Sequence, residues 1–164
     1  MPLAVTHVIL TIIMIDIFRD YIAKKKFPRW YVLAGGIAGL FPDIDIPIGW
    51  VYNFFAGTSL SFHGGITHVL LWPAIIAAAS LIYYKIKNQK LGLLLALIAF
   101  GWAFHIFLDC VFIGGYLPLW PFYNVCFCPQ IFESGGMGLA GMDAILLVLW
   151  LVHEEVAHKI KDYI

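Results

Sequence analysis

Residues 31–55 read YVLAGGIAGLFPDIDIPIGWVYNFF, and the reading of this stretch decides the fold. The run is apolar and long enough to cross about 30 Å of hydrocarbon. It is nevertheless interrupted by Pro42, Asp43, Asp45 and Pro47. Its first half reads as a half-helix that breaks into irregular backbone. Such backbone is tolerated at membrane depth only where it packs on protein or lines a wet cavity. Ala34, Gly35, Gly36, Ala38 and Gly39 supply the small side chains that the required close helix approach needs.

On either side lie four uninterrupted apolar runs, at residues 2–23, 68–84, 91–112 and 139–158. Only 12% of the chain is charged, against roughly 25% in a soluble domain. So little charge cannot clothe a water-soluble surface. The expectation is an all-α integral membrane protein, with residues 1–164 forming a single polytopic domain. The formal net charge is zero, so no basic face argues for a nucleic-acid partner. No Lys or Arg precedes the first apolar run, as a cleavable signal peptide would require.

Charge placement sets the number of crossings. Lys24, Lys25, Lys26 and Arg29 follow the first run, Lys85, Lys87 and Lys90 follow the run at 68–84, and Lys159 and Lys161 follow the last. Arg19 lies near the same end as the first cluster. Residues 1–6, 57–67 and 113–138 hold no Lys or Arg. The positive-inside rule then predicts an outer N-terminus and a cytoplasmic C-terminus. Four crossings would leave residues 68–84 pointing the wrong way. The bundle therefore needs about five crossing segments, the second of them broken between Pro42 and Pro47. Asp16, Arg19 and Asp20 share a face near the inner surface and read as a local salt-bridged cluster.

Depth can be counted from the basic clusters at about 1.5 Å per helical residue. His7 is seventeen residues above Lys24, and His68 is seventeen above Lys85. His105 and Asp109 are fifteen and nineteen above Lys90, while Asp43 and Asp45 are thirteen and fifteen beyond Trp30. All fall about 20–29 Å up, in the outer third of the membrane, with His63 just before His68. His7 and His68 also head two nearly identical pentapeptides, THVIL and THVLL. In HIFLD the i and i+4 spacing puts His105 and Asp109 on one helical face. In HGGIT the glycines let His63 bend back toward His68. Thr6 and Thr67 are placed to cap helix starts or to accept the second ring N–H of a ligating histidine.

Energetics favours a metal at this level. Three intramembrane carboxylates would cost about 8–10 kcal/mol on insertion scales, whereas structural zinc returns on the order of 10–16 kcal/mol. The predicted ligands are His7, Asp43, Asp45, His63, His68, His105 and Asp109. Imidazole and carboxylate without thiolate suit a divalent ion, zinc first, with manganese or iron as alternatives. Seven residues exceed one tetrahedral site with an open position, so one or two ions are expected. Asp45 and Asp109 are the candidate catalytic carboxylates, with Asp45 as the base. Asp143, sixteen residues above Lys159, either joins the site or caps the last helix.

These motifs, in this order, resemble the YdjM-type family of membrane-bound metal-dependent hydrolases, also described as the LexA-binding inner-membrane family. Its hallmarks correspond here to Thr6-His7, PDID at 42–45, HGGITH at 63–68, HIFLD at 105–109 and WPF at 120–122. Gly64 stands where the family box has Arg, and Ile46 where His is common. The resemblance implies an inner-membrane hydrolase with a metal-activated water; LexA binding is not carried over, since no residue matches a contact for it. The ligand order is also similar to a reduced zinc-dependent, all-helical phospholipase C, which suggests phosphoester chemistry by analogy. A site just beneath the headgroups points to a lipid or other membrane-resident substrate. The alternatives are a divalent-metal or proton transporter, and a structural membrane protein locked by metal. Oligomeric state is not legible.

Other patterns fail. HEEVAH at 153–158 lacks the second His at the HExxH position, since residue 157 is Ala, and reads as a solvated helix end. A phosphatidic acid phosphatase would need Lys and Arg at the depth of the site. Ser59 and Ser61 read as loop polarity. Cys110, Cys126 and Cys128 lack CxxC spacing; Cys110 reads as core packing, and an odd count cannot pair fully within one chain.

Overall fold

The computed structural model describes residues 4–61, 63–86, 88–112, 119–123, 128–129 and 137–158, with backbone alone for 137–143, 157 and 158. Six α-helices account for most of them, and no strand occurs among the described residues. They are α1 (Ala4–Ile17), α2 (Trp30–Ala38), α3 (Asp45–Ala56), α4 (Leu71–Lys85), α5 (Gln89–Phe112) and α6 (Met137–His158). A single π-helical turn, Phe18–Ile22, extends α1.

The broken segment is more regular than expected. Instead of irregular backbone, a 3-10 turn at Pro42–Ile44 joins α2 to α3, and the two helices bend by 54°. The Asp43 and Ile44 amides donate to the carbonyls of Leu40 and Phe41 at 3.1 and 3.3 Å. Pro42 opens the turn, and Pro47 lies in the first turn of α3, where a missing N–H breaks no helical bond. The prolines thus bend the path without unwinding it.

Two helix contacts depend on absent side chains. Gly36 of α2 rests on Ile12 of α1. Gly101 of α5 lies against the Gly35 carbonyl so closely that a Cβ there would collide with backbone oxygen. Around these contacts Ile12, Ile15, Phe27, Tyr31, Val32 and Leu97 form the buried apolar core. The outward surface is also apolar: Trp50, Phe54 and Phe55 on α3 are exposed, as are Leu81 on α4 and Leu149 on α6. Contiguous apolar surface of this kind marks a lipid or protein contact.

Among the described residues α5 alone is long and apolar enough to cross a membrane, and α2 with α3 qualifies as one bent pair. α4 is apolar but has only 15 residues, because His68 belongs to a separate 3-10 turn, Ile66–His68, rather than to the helix start.

Candidate metal centre

Four elements converge on one point. α1 carries His7 in its first turn, and the turn between α2 and α3 carries Asp43. The segment before α4 carries His63 and His68, and α5 carries His105 and Asp109 one turn apart. Asp109 lies at the middle. Its Oδ1 is 3.3 Å from His7 Nε2, and its Oδ2 is 3.3 Å from His68 Nε2 and 3.1 Å from His105 Nε2. Asp43 Oδ1 closes the group at 3.7 Å from His68 Nε2 and 3.5 Å from His105 Nε2. The His7 and His105 rings stack with centroids 3.9 Å apart.

These contacts are close without being hydrogen bonds. His7 Nε2, His105 Nε2, Asp43 Oδ1 and both Asp109 oxygens are buried and have no hydrogen-bond partner within the chain. Buried polar groups are ordinarily satisfied, and so many unsatisfied atoms facing one point need a common partner. Ligands at about 2.0–2.2 Å around a tetrahedral ion stand about 3.3–3.6 Å from one another, close to the spacings here. Ligand atoms of His7, His105 and Asp109 lie within 4.8 Å of one another, as do those of Asp43, His68 and His105. The residues present therefore fit a divalent ion.

The far sides of two rings fix the direction of the near sides. His105 Nδ1 meets the Gly39 carbonyl at 2.5 Å. A carbonyl only accepts, so Nδ1 carries the proton and Nε2 presents its lone pair to the centre. His68 Nδ1 lies 3.1 Å from Thr67 Oγ1, whose hydroxyl donates to Asp45 Oδ2 at 2.8 Å. The relay leaves His68 Nε2 facing inward in the same sense. Thr67 thus performs the role expected of it, whereas Thr6 Oγ1 is buried without a hydrogen-bond partner.

Asp45 is placed differently from the other carboxylates. Beyond Thr67, it accepts the Gly64 amide at 3.1 Å and meets His63 Nδ1 at 3.2 Å. Gly64 adopts φ +82°, a conformation open to glycine, and this bend brings the His63 ring to 4.6 Å from His68. Asp45, His63 and His68 form a third close set of ligand atoms. Exposure then grades across the centre. The side chains of His7, His68, His105 and Asp109 are at most 2% exposed, while Asp43 is 18% and His63 17% exposed. The centre is closed at its base and open at the Asp43–His63 edge.

All seven expected residues thus meet at one locus. Asp143 has its side chain outside the described residues, as does Cys126. Other expectations need correcting. Cys110 is more than core packing, since its sulfur is bonded to Cys128. HEEVAH is a solvated end only in part: His153, Glu155 and Val156 are exposed, but Glu154 is 1% exposed and lies 3.5 Å from Arg29. The salt-bridged cluster holds for Arg19 and Asp20, whereas Asp16, which lines one cavity with Asp20, forms its close ligand group with His153 and Glu154. Charge spacing along α1 could not report a neighbour from α6.

An all-helical fold with an apolar outer surface, burying imidazoles and carboxylates around one point, defines a membrane protein with a metal-competent centre. The chain belongs to the YdjM inner membrane protein family, whose model matches residues 1–160. No curated protein and no solved structure matches it.

Proposed function

We propose that the protein is a membrane-embedded, metal-dependent hydrolase acting on an ester or phosphoester bond of a lipid-like substrate. The observation that carries this reading is the convergence of His7, His68, His105, Asp43 and Asp109 on one point through atoms that include unsatisfied buried donors and acceptors. His7, His68, His105 and Asp109 would hold the ion from the closed side, and Asp43 from the open side. When bound, a divalent ion supplies Lewis acidity and lowers the pKa of water to about 7.

The chain's own groups handle the proton. His63 Nδ1 is backed by Asp45 Oδ1 at 3.2 Å, and His63 would take a proton at the open edge as a general base. In this arrangement the base role expected of Asp45 passes to His63, and Asp45 orients both His63 and His68. Asp43 and His63 together line the side from which substrate enters.

Substrate class follows from position. Five crossings, with the N-terminus outside and the C-terminus cytoplasmic, put the centre just under the outer headgroups. The distribution of basic residues supports this orientation. So does the Cys110–Cys128 disulfide immediately after Asp109, since disulfides persist on the oxidising side of the inner membrane. Zinc fits the imidazole-rich ligand set, with manganese or iron as alternatives.

The test is metal content by elemental mass spectrometry on detergent-purified protein and on His105→Ala and Asp43→Ala. One or two Zn, Mn or Fe per chain, with the content lowered by at least one ion per chain in both variants, is the expected result. The loaded protein should then hydrolyse a lipid ester or phosphoester that neither variant cleaves. Folded protein that takes up no metal would overturn the reading.

A further inference from the structure

A second group of ligand-type side chains lies at the other end of α1. Asp16 is nine residues from His7, about 14 Å along the helix. It is 4% exposed, and Glu154 of α6 is 1% exposed. Ligand atoms of Asp16, Glu154 and His153 lie within 4.8 Å of one another. His153 Nδ1 meets Glu154 Oε1 at 3.3 Å, and Arg29, just before α2, brings Nη1 to 3.5 Å from Glu154 Oε2.

Among the described residues this group is richer in carboxylate than in guanidinium. Asp20 is already engaged by Arg19 at 2.6 Å and Lys26 at 3.2 Å, so neither cation is spare for Asp16. Among the described residues, two buried carboxylates then face one guanidinium and one imidazole. Asp16 Oδ1 is buried with no hydrogen-bond partner within the chain. Asp16 also lines a cavity of about 260 Å³ together with Ile13, Ile17, Leu149, Trp150 and His153. A buried carboxylate is retained where it is paired or coordinates a metal. The cavity is large enough for waters to complete a coordination shell, each occupying about 30 Å³.

We propose that Asp16, Glu154 and His153 form a second divalent-cation site, at the opposite end of α1 from the His/Asp centre. Two carboxylates and one imidazole make an oxygen-rich set, better suited to manganese or iron than the imidazole-rich centre, which favours zinc. The site does not depend on the hydrolase reading, because it shares no ligand with the first centre.

The test uses Mn²⁺ as probe and His105→Ala protein as background, so that the first centre is crippled. Free Mn²⁺ is read by electron paramagnetic resonance during titration of the detergent-purified chain. The expected result is one Mn²⁺ per chain in His105→Ala that disappears when Asp16→Asn is added. His153 is half exposed and contributes little packing, so adding His153→Ala should weaken the same binding at least tenfold without unfolding the protein. Equal Mn²⁺ binding with and without these substitutions would overturn the proposal. So would the absence of binding in the background protein, or a loss in Asp16→Asn that His153→Ala does not share.

Discussion

His105 Nδ1 donates to the carbonyl oxygen of Gly39 at 2.5 Å, tying the middle of α5 to the end of α2 where the broken segment turns. The bond sets the imidazole tautomer and aims Nε2 at Asp109, so a backbone carbonyl helps shape the candidate metal centre. A Cβ at Gly39 would lie 2.9 Å from the Gly36 carbonyl and 3.1 Å from Thr11 Oγ1. Gly39→Ala should therefore displace that carbonyl. Metal affinity should fall about 10–100-fold, as for other partners of ligating histidines. Competition with a chelator of known affinity, on protein shown to be folded by circular dichroism, measures this.

Thr67 carries the corresponding role for His68, through its hydroxyl link to Asp45. Thr67→Val keeps the branched shape and removes the hydroxyl. Metal affinity should again drop about 10–100-fold. Thr6→Val should have a smaller effect, because Thr6 Oγ1 holds no hydrogen bond. Equal effects of the two substitutions in the same competition assay would refute the relay.

Gly101 tests the packing that brings α5 to α2. Its missing Cβ leaves room for the Gly35 carbonyl, which is backbone and cannot rotate away as a side chain could. Gly101→Ala should cost about 1–3 kcal/mol, the usual range for overpacking. Gly57→Ala is a control free of steric contact, since nothing lies within 4 Å of that position; its φ of +64° makes any cost there one of backbone strain. Denaturant unfolding in detergent, followed by tryptophan fluorescence, compares them.

The Cys110–Cys128 bond closes a loop with a sequence separation of 18 residues. In the chain-entropy treatment a loop of this length is worth about 3 kcal/mol. Cys110→Ser should lower stability by up to about that amount. Mass spectrometry of unreduced, alkylated protein should find Cys110 blocked in the wild type and Cys128 alkylated in the variant. Because Cys110 follows Asp109 directly, metal affinity in Cys110→Ser also reports whether the cross-link helps position that carboxylate.

Which residues cluster was legible in the sequence, but the internal order of the cluster was not. Counting helical residues from the basic clusters put six of the candidate residues at one depth, with His63 beside them, and these seven residues do meet. The count works because helix rise is constant and the apolar runs contain few other polar groups. The THVIL and THVLL echo is a looser guide: His7 lies within a helix while His68 sits in a 3-10 turn ahead of one, although both approach Asp109. The support from the Gly39 carbonyl was invisible, since every residue has a carbonyl and only the fold selects one. The burial of Glu154 was equally hidden, because a charged helix end looks solvated until Arg29 and Asp16 are brought against it.

Chelation separates a working centre from a purely structural lock. Without an ion, the buried Asp109 carboxylate faces three imidazoles with no hydrogen bonds to its oxygens, so metal removal should destabilise the protein. An ion present at a thousandfold excess over its Kd adds about 4 kcal/mol to stability, and the thermal midpoint should fall measurably on treatment with a strong chelator. Under the hydrolase reading the open Asp43–His63 edge makes the loss reversible: the chelated protein stays folded, and zinc restores both midpoint and hydrolysis. His63→Ala should then retain metal and most of the chelation-sensitive midpoint while losing turnover, because His63 acts on the proton at the edge of the site. A protein that unfolds irreversibly on chelation, with His63→Ala behaving like His105→Ala, would instead mark the whole cluster as a structural metal lock.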